Sequence, residues 1–95
     1  MNEAQVLREK NLHEIRVTNR KTMTVEGVKD VIGFDESTVQ LTTFGGDMTV
    51  EGSDLHVKML DVERGVVSLE GKIDGIFYAE PTSNEKRSFW ERLVK

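Results

Sequence analysis

The sequence predicts an all-β fold: a small sandwich, roll or partly open barrel of about seven or eight short strands, with a short helix at the C-terminal end. Three observations carry this. Apolar and polar residues alternate with a period of two from His13 to Tyr78, clusters of turn-forming residues recur between the alternating runs, and eight glycines stand against one proline. Alternation at period two sends one face of each run into a core and the other into water, the pattern of a half-buried strand.

Residues 1–11 contain the helix formers Glu3-Ala4-Gln5-Val6-Leu7-Arg8-Glu9-Lys10. They have too few apolar side chains for a helical face and are expected to form a flexible or partly helical arm. An all-β domain is expected over 12–80. Its strands are read at Ile15/Val17, Met23/Val25, Val28–Phe34, Val39/Leu41, Met48/Val50, Leu55/Val57/Met59, Val67/Leu69 and 73–78. Between them Asn19-Arg20, Asp35-Glu36-Ser37, Gly45-Gly46-Asp47, Ser53-Asp54 and Glu63-Arg64-Gly65 supply turn chemistry. The adjacent apolar pairs Val31-Ile32 and Ile76-Phe77, each beside a glycine, break the alternation and predict a bulge or a strand covered on both faces. Residues 81–95 read as a linker and a basic tail. Ser83 or Asn84 is placed to cap a short helix in which Phe89/Leu93 and Trp90/Val94, spaced i,i+4, form an apolar stripe among Lys86, Arg87, Arg92 and Lys95.

Within this pattern lies an internal repeat. Thr24-Val25-Glu26-Gly27, Thr49-Val50-Glu51-Gly52 and Ser68-Leu69-Glu70-Gly71 each precede another apolar strand. Each copy is expected to be a strand–turn–strand unit, with glycine taking positive φ where one strand gives way to the next. The unequal spacing of the copies argues against a regular solenoid.

Composition narrows the chemistry. A chain of 95 residues can bury one core unaided, and 37% hydrophobic with 32% charged residues suits a folded domain with a solvated surface. The absence of cysteine removes disulfides, thiolate nucleophiles and cysteine-based metal centres. The start of the chain lacks the apolar centre of a signal peptide, and no run is long enough to span a bilayer. A formal net charge of -4 disfavours a nucleic-acid partner, whose phosphates call for a clustered basic surface.

Several residues are candidates for chemistry. Glu26, Glu51 and Glu70 are the residue type that converges on a hard cation or acts as a carboxylate pair, yet the simpler expectation is a strand-end carboxylate facing water or a turn. His13 and His56, even with Glu14 and Asp54, lack the spacing of a ligand pair, and His56 alternates to the solvent side of its strand. Gly45-Gly46 has no following lysine and reads as a hairpin turn rather than a phosphate loop. No serine sits in a nucleophile elbow. No catalytic residue, metal or cofactor is therefore assigned. The tail stripe of Phe89, Trp90, Leu93 and Val94, with Arg87 and Arg92, either folds back over an open end of the β-domain or docks on a partner or a membrane surface. A helix of about a dozen residues is marginal alone, so its contribution is expected within a multivalent assembly.

The order of these elements resembles the YabP/YqfC family of small sporulation proteins, on its YabP side. The resemblance runs from about His13 to Glu80. It rests on Val17-Thr18-Asn19-Arg20-Lys21 leading into Thr24-Val25-Glu26-Gly27-Val28, on Val31 to Asp35, on Thr49-Val50-Glu51-Gly52-Ser53-Asp54-Leu55, and on Val67-Ser68-Leu69-Glu70-Gly71-Lys72-Ile73 before Ile76 and Tyr78. It implies a protein made in the mother cell, needed for spore formation around cortex and coat assembly, and acting beside a membrane protein of the same operon. It supplies no catalytic residue or cofactor to carry over. The expected function is a non-enzymatic assembly factor that oligomerises or binds spore-assembly proteins through its sheet edges, in the mother-cell cytoplasm. The alternatives are a peripheral adaptor at the forespore membrane using the tail and, last, a hydrolase using the three glutamates.

Overall fold

The computed structural model of the chain describes residues 10–79. These form β1 (Glu14–Thr18), β2 (Thr22–Glu26), β3 (Val28–Phe34), β4 (Thr38–Thr43), β5 (Gly46–Asp61) and β6 (Val66–Ala79). All six lie in one antiparallel open sheet in the order β1-β2-β6-β5-β4-β3. The all-β expectation holds. The strand count is corrected from seven or eight to six, because two pairs of expected strands are each one long strand: Met48/Val50 runs on into Leu55/Val57/Met59 as β5, and Val67/Leu69 runs on into 73–78 as β6. The expected helix and the tail lie outside the described residues.

The long β5–β6 hairpin sets the architecture. The first part of β5 pairs with β4 over Gly46 to Glu51, whereas β2 pairs with the first part of β6 over Val66 to Glu70. Two leaves result: β1, β2, the start of β6 and the end of β5 form one, and β3, β4, the start of β5 and the end of β6 form the other. Register shifts at Glu51/Gly52, Ser53/His56 and Val57/Met59 bend the hairpin between them. Both leaves turn their apolar faces to a single core. Met23, Val25, Val67 and Leu69 from one leaf and Val39, Leu41, Met48 and Val50 from the other are all 0–1% exposed within one cluster. The fold is held by this shared burial, each side chain contributing about 1.5–3 kcal/mol.

β3 carries the bulges that its broken alternation predicts, at Val28/Asp30 and Val31/Gly33. In β6 the irregularity falls at Asp74, between Ile73 and Gly75, where the strand changes leaf.

The two leaves are built alike. In one, the β1–β2 turn docks on the bend of β6 through Gly71 N to Lys21 O (3.0 Å) and Ile73 N to Arg20 O (2.8 Å). In the other, the β3–β4 turn docks on the bend of β5 through Gly52 N to Ser37 O (3.0 Å) and Leu55 N to Glu36 O (2.8 Å). Glycine and the next core residue donate in both cases. An approximate two-fold axis through the paired bends thus exchanges β5 with β6 and the first hairpin with the second.

Candidate interaction surface

The three Glu-Gly elements do not occupy three equivalent places. Glu26-Gly27 joins β2 to β3, as a strand–turn–strand unit should. Glu51-Gly52 and Glu70-Gly71 lie inside β5 and β6 at the two bends, so the expectation of a turn at every copy is corrected. A carbonyl oxygen of another backbone segment sits where each glycine would carry a Cβ: Leu12 at Gly27, Lys72 at Gly52 and Asp54 at Gly71. Gly27 and Gly71 also take positive φ, 77° and 134°; Gly52 does not, and close approach alone accounts for it. Around each glycine the apolar residues of its copy enter the core: Met23, Val25 and Val28; Met48, Val50 and Leu55; Val67, Leu69 and Ile73. The repeat is a device for crossing from leaf to leaf while keeping a core face on both.

Its glutamates go separate ways. Glu51 is exposed at the β5 bend. Glu70 meets Lys58 Nζ at 3.2 Å and accepts from His56 Nε2 at 3.1 Å, and these partners, Lys58 first, hold its carboxyl below the usual value of 4.5. Glu26 is half-buried at the end of β2. No group of three or more metal-ligating side chains occurs among the described residues.

His13 has a different use. Its Nδ1 donates to the Glu26 carbonyl at 2.8 Å, so Nε2 of the neutral ring accepts the Tyr78 hydroxyl at 2.6 Å. The rings meet edge to face with centroids 5.6 Å apart, and the imidazole lies over Gly45. Burial raises the Tyr78 phenol above its usual 10.0. This link ties the segment leading into β1 to the far end of β6, in the other leaf, and closes one side of the fold. It spans 65 positions, and nothing in the local sequence around either residue signals it.

The opposite side is open. Between β3 and the end of β5 lies a cavity of about 200 Å³ lined by Val28, Val31, Leu60, Val62 and Val67. Of its lining, Leu60 at the end of β5 and Val62 just beyond it are 47% and 59% exposed, and Ile32 and Phe34 on the β3 edge are each 60% exposed. The first edge strand, β1, is exposed at all five positions, and its register to β2 runs without a bulge. Ile15 and Val17 sit opposite the buried Val25 and Met23 and remain 36% and 38% exposed, so the core is accessible along this edge.

The face carrying the bends is charged, and the two docking turns differ. Asn19 and Arg20 both adopt left-handed φ, 53° and 55°, in a turn closed by Lys21 N to Thr18 O. Arg20 donates from Nε to the Ile73 carbonyl at 2.8 Å and pairs with Asp74 at 3.1 Å. Beside it Lys21, Lys72, His56 and Glu70 line an open concavity of about 730 Å³. The second turn is acidic. Asp35 Oδ1 accepts from the backbone of Ser37 and Thr38 and from the Ser37 hydroxyl, bonds that hold its carboxyl below 3.8. Glu36 and Glu51 stand exposed next to it. This asymmetry was readable in Asn19-Arg20-Lys21 and Asp35-Glu36-Ser37, but their equivalence appears only once both dock on paired bends.

The profile of the YabP family matches residues 9–85 of the chain. "Spore protein YabP" of Bacillus subtilis (strain 168) is 34% identical over 84 residues, covering 87% of this chain and 84% of that protein. With most of the chain matched in both comparisons, and with the repeat, bends and turns all inside residues 9–85, the chain is a sporulation protein of the YabP family.

Proposed function

We propose that the chain is a non-enzymatic assembly factor in endospore formation, acting in the mother cell by contacts with other spore-assembly proteins. The observation that carries this is the β1 edge: five exposed residues in unbroken register, with Ile15 and Val17 beside the core. Such an edge offers unpaired backbone groups to another strand and apolar contact to its side chains. Natural edges that are meant to stay unpaired carry inward charges, prolines or bulges; β3 has two bulges and β1 has none. The scattered glutamates, each engaged or exposed in a different place, give no paired acid and base and so lend the hydrolase reading no support. The tail, with Phe89, Trp90, Leu93 and Val94, is a second contact that adds avidity at a protein or at the forespore membrane.

The test replaces Ile15 and Val17 together by lysine, an inward-charge device that half-exposed positions tolerate. The variant is expected to melt near the wild type, to lose its cross-linked partners in sporulating cells and to lower the yield of heat-resistant spores. A folded variant with unchanged partners and unchanged spore yield overturns the proposal.

A further inference from the structure

We infer that the face carrying the two bends is an interface with a second copy of this chain, closed by the basic turn of each copy against the acidic turn of the other. The inference deepens the assembly reading, on which it rests for its setting. It comes from the internal two-fold and the charges laid on it. The two turns hold equivalent positions on either side of paired strand bends, where Gly52 faces Ile73 and Ser53 faces Lys72. Beside one stand Lys21 of the turn and Lys72 of β6, exposed and in no ion pair among the described residues, with the single exposed acid Asp54 in the same concavity, whereas Arg20 is already paired with Asp74. The other presents Glu36 and Glu51, likewise exposed and in no ion pair among the described residues.

A second copy turned about an axis perpendicular both to the internal one and to the line joining the two turns sets its acidic turn over the first copy's basic turn, and its basic turn over the acidic one. Both contacts are then attractive, and the arrangement closes at two copies, as an isologous pair does. A perpendicular axis running along the line between the two turns would instead bring basic turn to basic turn and acidic to acidic, so charge selects one orientation. On the basic side the open concavity of about 730 Å³ beside Lys21 and Lys72 leaves room for the acidic turn of the other copy. Exposed charge pairs are individually weak and screened by salt. The pair therefore forms at high local concentration, leaving the β1 edge free for other proteins.

Sedimentation equilibrium of the full chain, at low and high salt, reads this directly. The wild type is expected to reach a dimer and stop there, with the dissociation constant rising with salt. Lys21→Glu with Lys72→Glu reverses one side, and Glu36→Lys with Glu51→Lys reverses the other; each variant alone repels itself at both contacts and is expected to weaken the dimer by roughly tenfold or more. Mixed together, the two variants regain attraction at both contacts and are expected to form a one-to-one heterodimer, which also shows that each is folded. A wild type that stays monomeric at several hundred micromolar overturns the inference, as does a dimer indifferent to both reversals, or a mixture that fails to associate while each variant melts like the wild type. None of those outcomes bears on the β1 edge, whose own test is the spore yield of the Ile15 and Val17 variant.

Discussion

The bend at Glu51-Gly52 and the bend at Glu70-Gly71 perform the same backbone task with different side-chain surroundings. At both, glycine admits a crossing carbonyl and donates its N–H to a docked turn. At one the glutamate is exposed, and at the other it is held by Lys58 and His56. The fold therefore depends on the glycine and the apolar residues around it, while the glutamate is left free to vary its role. This separates a structural repeat from a constellation of acids.

Substituting the glycines should break the likeness most severely. Gly71→Ala meets both a backbone overlap and φ of 134°, and is expected to cost about 4 kcal/mol or more, most of the stability of a domain at the low end of the ordinary range. Gly52→Ala meets the overlap alone and should cost somewhat less, about 3 kcal/mol. Gly33→Ala, with no atom within 4 Å of the added Cβ, should change stability by less than about 0.5 kcal/mol in the same urea titrations. A Gly71→Ala chain as stable as the wild type would show that the bend is not where the fold is fixed.

Next in size are the core residues preceding each bend. Leu69→Ala and Val50→Ala, both at positions 0–1% exposed, are expected to lose about 2–5 kcal/mol, with leucine the larger because it leaves the larger cavity. The docked turns should separate further. Arg20→Ala removes the bonds to Ile73 and Asp74 and should lower stability by about 1 kcal/mol. Glu36→Ala, whose carbonyl alone contacts the bend, should be close to neutral. Equal losses at the two positions would remove the distinction between a side-chain clamp and a backbone one.

The smallest effect sharpens the comparison of the glutamates. The depressed Glu70 carboxyl favours the ionised form in the folded chain. Its contribution is present above the ordinary value of 4.5 and lost as pH falls through the lower folded value. Glu70→Gln is thus expected to lower the melting temperature slightly at pH 7, and the difference from the wild type should shrink as the pH falls below 4.5 and through the lower folded value. Glu51→Gln, at an exposed side chain in no ion pair among the described residues, should leave the melting temperature at pH 7 unchanged. Asp35 behaves in the same sense, adding stability above 3.8 that disappears in more acidic solution.

The sequence alone determined the all-β class, most of the core-facing residues and most turn positions, because alternation and turn chemistry are local properties of the chain; Ile15, Val17 and Met59 share the alternation but are exposed. Met23, Val25, Met48, Val50, Val67 and Leu69 were legible as core for that reason, and all are buried. The three Glu-Gly elements were legible as a repeat and as places needing glycine. Whether a glycine ends a strand or bends it was not, because an N–H at Gly52 or Gly71 donates to a turn far away in sequence. The same limit hid the merger of seven or eight expected strands into six and the His13–Tyr78 link. Pairing, the two leaves, the internal two-fold and the opposition of a basic and an acidic turn are non-local. Tertiary structure decided them, since only the folded β5–β6 hairpin brings those segments to one face.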